Sequence, residues 1–546
     1  MNNHYKLRST LVFLGFCGLY LVVAINLYII QIAHHTFYEQ LGQKQYNSGV
    51  TILPPRACIY DRSGTLPLAM NRESLSAFLL PKTISSPDSL KPFLQQHFPQ
   101  AYERLEHAKG TYFMYIARKL TDAQLELIQT NALPDIQLLN EPNRFYPVPS
   151  AGHVLGITDI DNKGLFGLEL FYNEQLAGTP SSYSLEKDAR SGHFYFKKQT
   201  MVEGKEGTPL CLTLDGTLQF LAYEELKATM EKFKAKEGSV IVMNPATGEI
   251  IVMVTFPDFD PNNTKNIIME YTKNRIVTEE FELGSAIKPF GALASLAEKV
   301  TTADELIDCQ NTITAYVDGR RVNTVKSSVA GVITFSEVIE KSNNIGIVKV
   351  IRRLGTKLYD HYTRIGFGKK TGIEFLGERS GFVNHPHNWS KQSFVSLSIG
   401  YEMSATLLQL ACAFCMIAND GYSIIPTLIK GTPPRRSPEP LYDAATMATL
   451  KQILEKTVQQ GTAKKAQIKG YKVMCKTGTA NLLVNGQYDS TRNIYTSAGI
   501  VEKGNYQRVI VTFIKECPQK DMYASSVSAP LFERVAEKTL IHDKIM

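Results

Sequence analysis

The chain has 546 residues, of which 44% are hydrophobic and 20% charged, an ordinary globular composition in a length too great for one compact core. Its net charge of +7, from 59 Lys+Arg against 52 Asp+Glu, is mild, and no dense basic run is interleaved with aromatics, which argues against nucleic-acid binding. Eight cysteines, at 17, 58, 211, 309, 412, 415, 475 and 517, form neither a dense disulfide framework nor a paired CxxC zinc pattern.

From Ser9 to Ala33 ("STLVFLGFCGLYLVVAINLYIIQIA") no formally charged residue occurs, and the run is long enough to cross a bilayer as a helix. Lys6 and Arg8 precede it, and basic residues favour the cytoplasmic side. This predicts a cytoplasmic tail over 1–8, an anchor over 9–33 and everything beyond it outside. A cleaved signal peptide is the alternative, but its apolar core is shorter and a small-residue cleavage site follows it. Here the run ends in "QIAHHTF", which favours an uncleaved anchor.

Residues 34–204 mix short strand-like and helical pieces with polar turns. A second unit, 205–546, opens with "PLCLTLDGTLQFLAYEELKATMEKF", a short strand and then a long helix with Leu218, Leu221, Leu226 and Met230 near helical spacing. "SVIVMNPATGEIIVMVTF" reads as a β-hairpin about Asn-Pro-Ala-Thr-Gly. Helical patterns dominate until three strand-like runs, "YKVMCKTGTA", "IYTSAGIVE" and "RVIVTFIKE", and a last helix around "APLFERVAEKTLI". Strands at both ends with helices between predict an α+β unit whose antiparallel sheet joins distant segments. Cys412 and Cys415 fall in an apolar helix, "LLQLACAFCMIAND", and read as small core residues.

The chemistry centres on "FELGSAIKPFGALASL", residues 281–296. Ser285 and Lys288 are three apart, so a helix places hydroxyl and amine on one side. A serine hydroxyl is a weak nucleophile until a base takes its proton, and a neutral lysine serves. Lysine titrates near 10.4, so its pKa must fall by about 2 to 3 units, through burial and a neighbouring cation. Pro289 suits a helix start. Alone, Ser-x-x-Lys means little: it recurs at Ser184 and Lys187 in a polar segment.

Two further elements complete a set: Ser342-Asn343-Asn344 and Lys476-Thr477-Gly478-Thr479. Lys370-Thr371-Gly372 is a decoy without the second hydroxyl. In the set, Ser342 would relay a proton between Lys288 and the departing group, and Asn344 would bond a peptide amide. Lys476 would lower the pKa of Lys288 and hold a substrate carboxylate, with Thr477 or Thr479 donating to it. Gly478 would let a substrate backbone approach. The Ser285 and Thr479 amides would form an oxyanion hole. The implied reaction is acyl transfer through a serine.

Ser-x-x-Lys, Ser-Asp-Asn and Lys-Thr-Gly together mark penicillin-binding proteins and class A β-lactamases. In the order Ser285, Ser342, Lys476, the chain resembles the class B penicillin-binding proteins over nearly its whole length. "PPRACIYDRSGTLPLAMN" resembles the family's membrane-proximal segment, and "RFYPVPSAGHVLGI", "GLFGLEL" and "KDARSG" its non-catalytic pedestal. "SIGYEMSATLLQLACAFCMIANDG" resembles the stretch between second and third motifs.

The resemblance implies a pedestal (dimerisation-like) domain over 34–204. It implies a β-lactamase-like transpeptidase domain over 205–546, an antiparallel sheet with helices on both sides. The activity implied is a D,D-transpeptidase that cross-links peptidoglycan stem peptides ending in D-Ala-D-Ala, is acylated by β-lactams, and uses no metal or organic cofactor. Implied partners are a SEDS-type glycosyltransferase and other division-complex membrane proteins, at the bacterial cytoplasmic membrane with the catalytic domain on the external side. "SIGYEMSATLLQL" looks closer to division-type than elongation-type members. Leu283, Ala57 and Cys475 depart from the family's usual proline, glycine and glycine without removing a functional group. A D,D-carboxypeptidase, a β-lactamase, a β-lactam sensor and an inactive scaffold are the rival readings. The anchor and pedestal oppose the β-lactamase, the short tail the sensor, and the intact motifs the scaffold.

Overall fold

The structure is a computed structural model and describes residues 2–52, 54–107, 113–187, 194–519 and 522–545. The chain forms two compact units, one of Met1–Arg56 with Ala177–Thr208, the other of Ala57–Leu176 with Pro209–Met546.

In the first unit a helix runs over Asn2–Tyr28 and continues as a π-helical turn, Ile29–Ala33. The helical stretch His4–Ala33, 30 residues containing an 18-residue window of mean hydropathy 2.2, is long and apolar enough to span a membrane. A second helix, His35–Tyr46, leads into an antiparallel sheet of Asn47–Ile52, Ser181–Lys187 and Phe194–Val202. The Ser184/Lys187 pair lies in this sheet and "KDARSG" falls largely outside the described residues.

The second unit is built on one five-stranded sheet. Its strands are β1 (Glu237–Met243), β2 (Ile250–Phe256), β3 (Lys472–Val484), β4 (Gln487–Lys503) and β5 (Tyr506–Lys515). Their order is β2-β1-β5-β4-β3, every pair antiparallel, so hairpin and C-terminal strands join between β1 and β5 as the sequence predicts. Side chains alternate along a strand, so each contributes to two cores. Val240 and Val242 face one, with α1 (Gly216–Phe233) and the last helix, Ala524–His542; Ile241 and Met243 face the other. That second core holds α2 (Lys288–Ala297), α3 (Asn344–Ile351), α4 (Leu407–Ala418) and α5 (Ala444–Gln459). We label the Ala524–His542 helix α6.

Local chemistry explains the helix starts. Asp215 caps α1, its carboxylate accepting from the amides of Thr217 and Leu218. Thr406 and Gln409 form a capping box at α4, where Cys415 is buried in the apolar face.

The 57–176 segment adds its own sheet, in which Pro67–Leu79 pairs with Gln137–Phe145. Arg144 on the latter strand meets Glu169 of the Gly167–Phe171 helix at 2.7 Å, with both side chains buried. Asn262 holds the backbone of Tyr146 at both N–H and C=O, which ties this segment to the catalytic sheet's side of the unit. A buried ion pair strands its partner when one member is removed. Glu169→Ala is therefore expected to cost about 3–5 kcal/mol, read as a lowered denaturant midpoint.

Candidate active site

Ser285 stands on a turn that three separate stretches of chain hold in place. Phe281 and Ala405 exchange both backbone hydrogen bonds, and the Gly284 N–H donates to Gly400 O at 3.3 Å. Gly284 has φ +53°, and a Cβ there would lie 2.8 Å from Thr479 O. Gly400, at φ +85°, would set a Cβ 2.2 Å from Gly284 O. Only glycine accepts both the left-handed backbone and the contact. Leu283, where a proline was expected, is buried in the core.

Gly284–Ile287 form a 3₁₀ turn that runs into α2, with Pro289 in the helix's first turn. Positions three apart eclipse in a 3₁₀ turn, so Ser285 and Lys288 share a face as predicted. Among the described residues no hydrogen bond links Ser285 Oγ to Lys288. Lys288 is fully buried, and its Nζ lies 2.7 Å from Ser342 O, 3.1 Å from Ser342 Oγ and 2.5 Å from Asn344 Oδ1. A buried amine takes the nearest strong acceptors, and the second motif supplies three.

That motif sits between two helices. Phe335–Glu340 ends, Ser342 turns with φ +56°, and α3 begins. Asn343, which sequence reasoning passed over, is the latch: its Oδ1 accepts from Gly346 N–H at 2.8 Å and its Nδ2 donates to Ser328 O at 2.7 Å. An Asn before the apolar run "IGIVKV" is a helix-start signal that would have found it. Asn344 bridges Lys288 and Asn323 O, 2.7 Å from its Nδ2.

The third motif lies on β3, the edge of the sheet. Lys476 is fully buried, with Nζ 3.0 Å from Ser342 Oγ and 2.8 Å from Thr477 O. One hydroxyl, Ser342, thus touches both lysines. Strand alternation sends Cys475 into the opposite core, where burial raises its thiol to about 12. Gly478 also serves the packing of the site itself. A Cβ there would lie 2.8 Å from both Ala286 N and Leu283 O, so the missing side chain lets β3 pack on the nucleophile turn. Thr477 Oγ1 bonds Thr462, and Thr479 Oγ1 accepts from Ala524 N–H at the start of α6.

Ser285, Ser342, Asn344, Thr477 and Thr479 open onto one cleft of about 710 Å³. Sequence reasoning missed Tyr401 and Tyr488 on its wall, stacked edge-on at 4.8 Å. Tyr401 accepts from Asn481 N–H. The decoy Lys370-Thr371-Gly372 is a turn folded around the Glu378 carboxylate, which accepts from both its Thr371 and Gly372 amides.

Residues 238–537 match the family model for the penicillin binding protein transpeptidase domain, and residues 51–212 that for the penicillin-binding protein dimerisation domain. The chain belongs to the class B penicillin-binding proteins. Among its relatives is the peptidoglycan D,D-transpeptidase FtsI of Escherichia coli strain K12, 30% identical over 490 residues, 87% of this chain and 82% of that one. Another FtsI, from Buchnera aphidicola subsp. Baizongia pistaciae, is 29% identical over 506 residues, 89% of this chain and 86% of its own. Penicillin binding protein 3 from Mycobacterium tuberculosis, solved with aztreonam, superposes with TM-score 0.68 at 25% identity, covering 91% of this chain and 98% of that chain.

The electrostatics of this penicillin-binding protein follow from burial. Burial and the charge of Lys476 push Lys288 well below the ordinary lysine range. Burial brings Lys476 down to about 7. Of the two, Lys288 is the neutral amine and Lys476 carries the charge below about 7, because two adjacent buried ammoniums repel. Ser342 then accepts from Lys476 and donates to Lys288.

Two outcomes follow. The second-order acylation rate with benzylpenicillin, which reports the free enzyme, should fall as pH rises through about 7, where Lys476 loses its charge. Lys476→Met should lower the rate by roughly 10²–10³ and flatten that limb; stopped-flow acylation across pH checks both. In Gly478→Ala the strand must move off the nucleophile turn, and the same assay should show at least about a tenfold loss.

Proposed function

We propose that this protein is a serine D,D-transpeptidase that cross-links peptidoglycan stem peptides in septal wall synthesis. The observation that carries the proposal is the single hydroxyl of Ser342 held between buried Lys288 and buried Lys476. Ser285 Oγ attacks the carbonyl carbon of the penultimate D-alanine and passes its proton to neutral Lys288. The oxyanion forms against the amides of Ser285 and Thr479. Support for that pair is geometric: Thr479 O packs on Gly284, and in an extended strand the N–H of a residue shares the edge of its C=O.

The tetrahedral intermediate collapses by breaking the C–N bond. Lys288 returns the proton through Ser342 to the departing nitrogen, and terminal D-alanine leaves. An amine from a second stem peptide attacks the ester, gives up a proton by the same route, and Ser285 recovers its own. Lys476, Thr477 and Thr479 hold the donor's carboxylate, and Asn344 its peptide amide. Gly478 keeps β3 against the nucleophile turn.

By the family's pattern, residues 34–204 are the pedestal and 205–546 the transpeptidase. The 9–33 anchor crosses the cytoplasmic membrane once, with the catalytic domain on the external side. Strand polymerisation then falls to a SEDS-type glycosyltransferase within a division complex. The FtsI relatives, named as peptidoglycan D,D-transpeptidases, support the transpeptidase reading.

No Asp or Glu lines the cleft among the described residues, so none is placed there to aim water at the acyl-enzyme. Full-length protein treated with benzylpenicillin should keep a covalent adduct by intact mass for hours, and Ser285→Ala should form none. With a donor peptide and a D-amino acid acceptor, aminolysis should exceed hydrolysis. Rapid drug turnover would instead mark a β-lactamase.

A further inference from the structure

Behind the nucleophile turn lies a second cavity, of about 370 Å³, large enough for a small organic molecule. Phe281, Phe382, Leu407, Ile494 and Phe513 give it an apolar interior. One wall is the Phe281–Glu282 stretch that leads to Ser285; another is Asn481–Leu483, the continuation of β3 beyond Thr479. The Ser285 turn and β3, two sides of the active site, therefore border it.

Its charges are unevenly neutralised. Lys515 is committed to Glu237, with both oxygens at 2.9 Å, and Glu280 pairs with Arg379 at 3.2 Å. Glu282 and Glu402 have no cation within 4.0 Å among the described residues. Glu282 accepts from Tyr488 OH at 2.9 Å and from Glu402 N–H at 3.1 Å, and Glu402 accepts from Asn384 Nδ2 at 2.8 Å. Partial burial beside an apolar space, with the charge of Glu402 adding to it, raises the Glu282 carboxyl above its ordinary range.

Elsewhere on the wall is Arg275, its side chain only 6% exposed. Its Nε, 3.5 Å from Glu237 and 3.4 Å from Glu279, makes no hydrogen bond among the described residues. Three carboxylates already surround this guanidinium, at Glu237, Glu270 and Glu279, and it also donates to Glu270 O, so it adds no free cation to the cavity.

We propose that this cavity is a second ligand site, for a molecule with a primary amine at one end of an apolar chain. The amine meets Glu282 and Glu402, and the chain fills the apolar interior. Because its walls are the nucleophile turn and β3, occupancy alters the reactivity of Ser285. The site itself stands apart from the transpeptidase reading; only the acylation readout depends on it.

N-acetylcadaverine is the probe, and N-pentylacetamide, which lacks the amine, its control. Calorimetry on protein already acylated by benzylpenicillin keeps the catalytic cleft blocked; free protein serves if no acyl-enzyme forms. Expected are saturable binding of the probe, at least about tenfold weaker binding of the control, and a similar loss in Glu402→Gln. On free enzyme, the acylation rate should change at least twofold and saturate over the same concentrations. Equal affinity for probe and control, full retention by Glu402→Gln, or no heat at all overturns the site. Binding with an unchanged acylation rate overturns the coupling. If Glu402→Gln does not fold, the probe–control comparison on wild type decides.

Discussion

Two lysine amines buried around one serine hydroxyl are the constraint on which the rest of the site depends. Burying an ammonium opposes folding, and this unit buries both Lys288 and Lys476 completely. In each, the folded state favours the neutral amine more than the unfolded chain does. For Lys476 the unfolded chain binds the extra proton between about 7 and the ordinary value near 10.4. Stability therefore rises with pH across that window, and the penalty is complete below it. A purely structural core would place apolar side chains here. Retaining two amines is sensible only if their mutual effect is used, and it is: one is kept neutral beside the other's charge.

Holding that arrangement requires backbones closer than side chains allow. Gly284, Gly400 and Gly478 occupy the three contacts where the nucleophile turn, the Ser398–Tyr401 stretch and β3 meet. Each is explained by backbone atoms of a neighbouring segment, not by open space. The same crowding fixes Ser285 at the cleft while Lys288 points inward to Ser342. Packing thus leaves Ser285 without a hydrogen bond to Lys288. On the mechanism proposed above, the two are joined through the shared hydroxyl or by a side-chain turn once substrate displaces the amine's present partners, as unliganded active sites often require.

Much of this was legible in the sequence because the signals are local. Alternating Val and Ile in β1, β2 and β5 and the apolar period of α1 specify the sheet and its covering helix from neighbouring residues alone. The three motifs are short, and the resemblance joined them. What escaped depends on distant segments. No local pattern reveals that Gly478 faces Ala286 or that Tyr401 supports Asn481. The hydrogen bonds of Lys288 were not legible for the same reason: spacing puts it on the side of Ser285, but its partners are residues 54 and 56 positions later.

On the mechanism proposed above, the shared hydroxyl also bears on why the acceptor is an amine. In the first half-reaction the relay must deliver a proton to a nitrogen that leaves; in the second it must remove one from a nitrogen that arrives. These are one path run in both directions, so a relay shaped for the departing amine is already shaped for the incoming one. Water at the same position has a far less basic oxygen and needs a stronger base aimed at it. Lys288 faces Ser342 and Asn344, and Lys476 faces Ser342 and Thr477 O, so neither points at open solvent. The arrangement that makes acylation reversible with amines is thereby the one that leaves the acyl-enzyme resistant to hydrolysis.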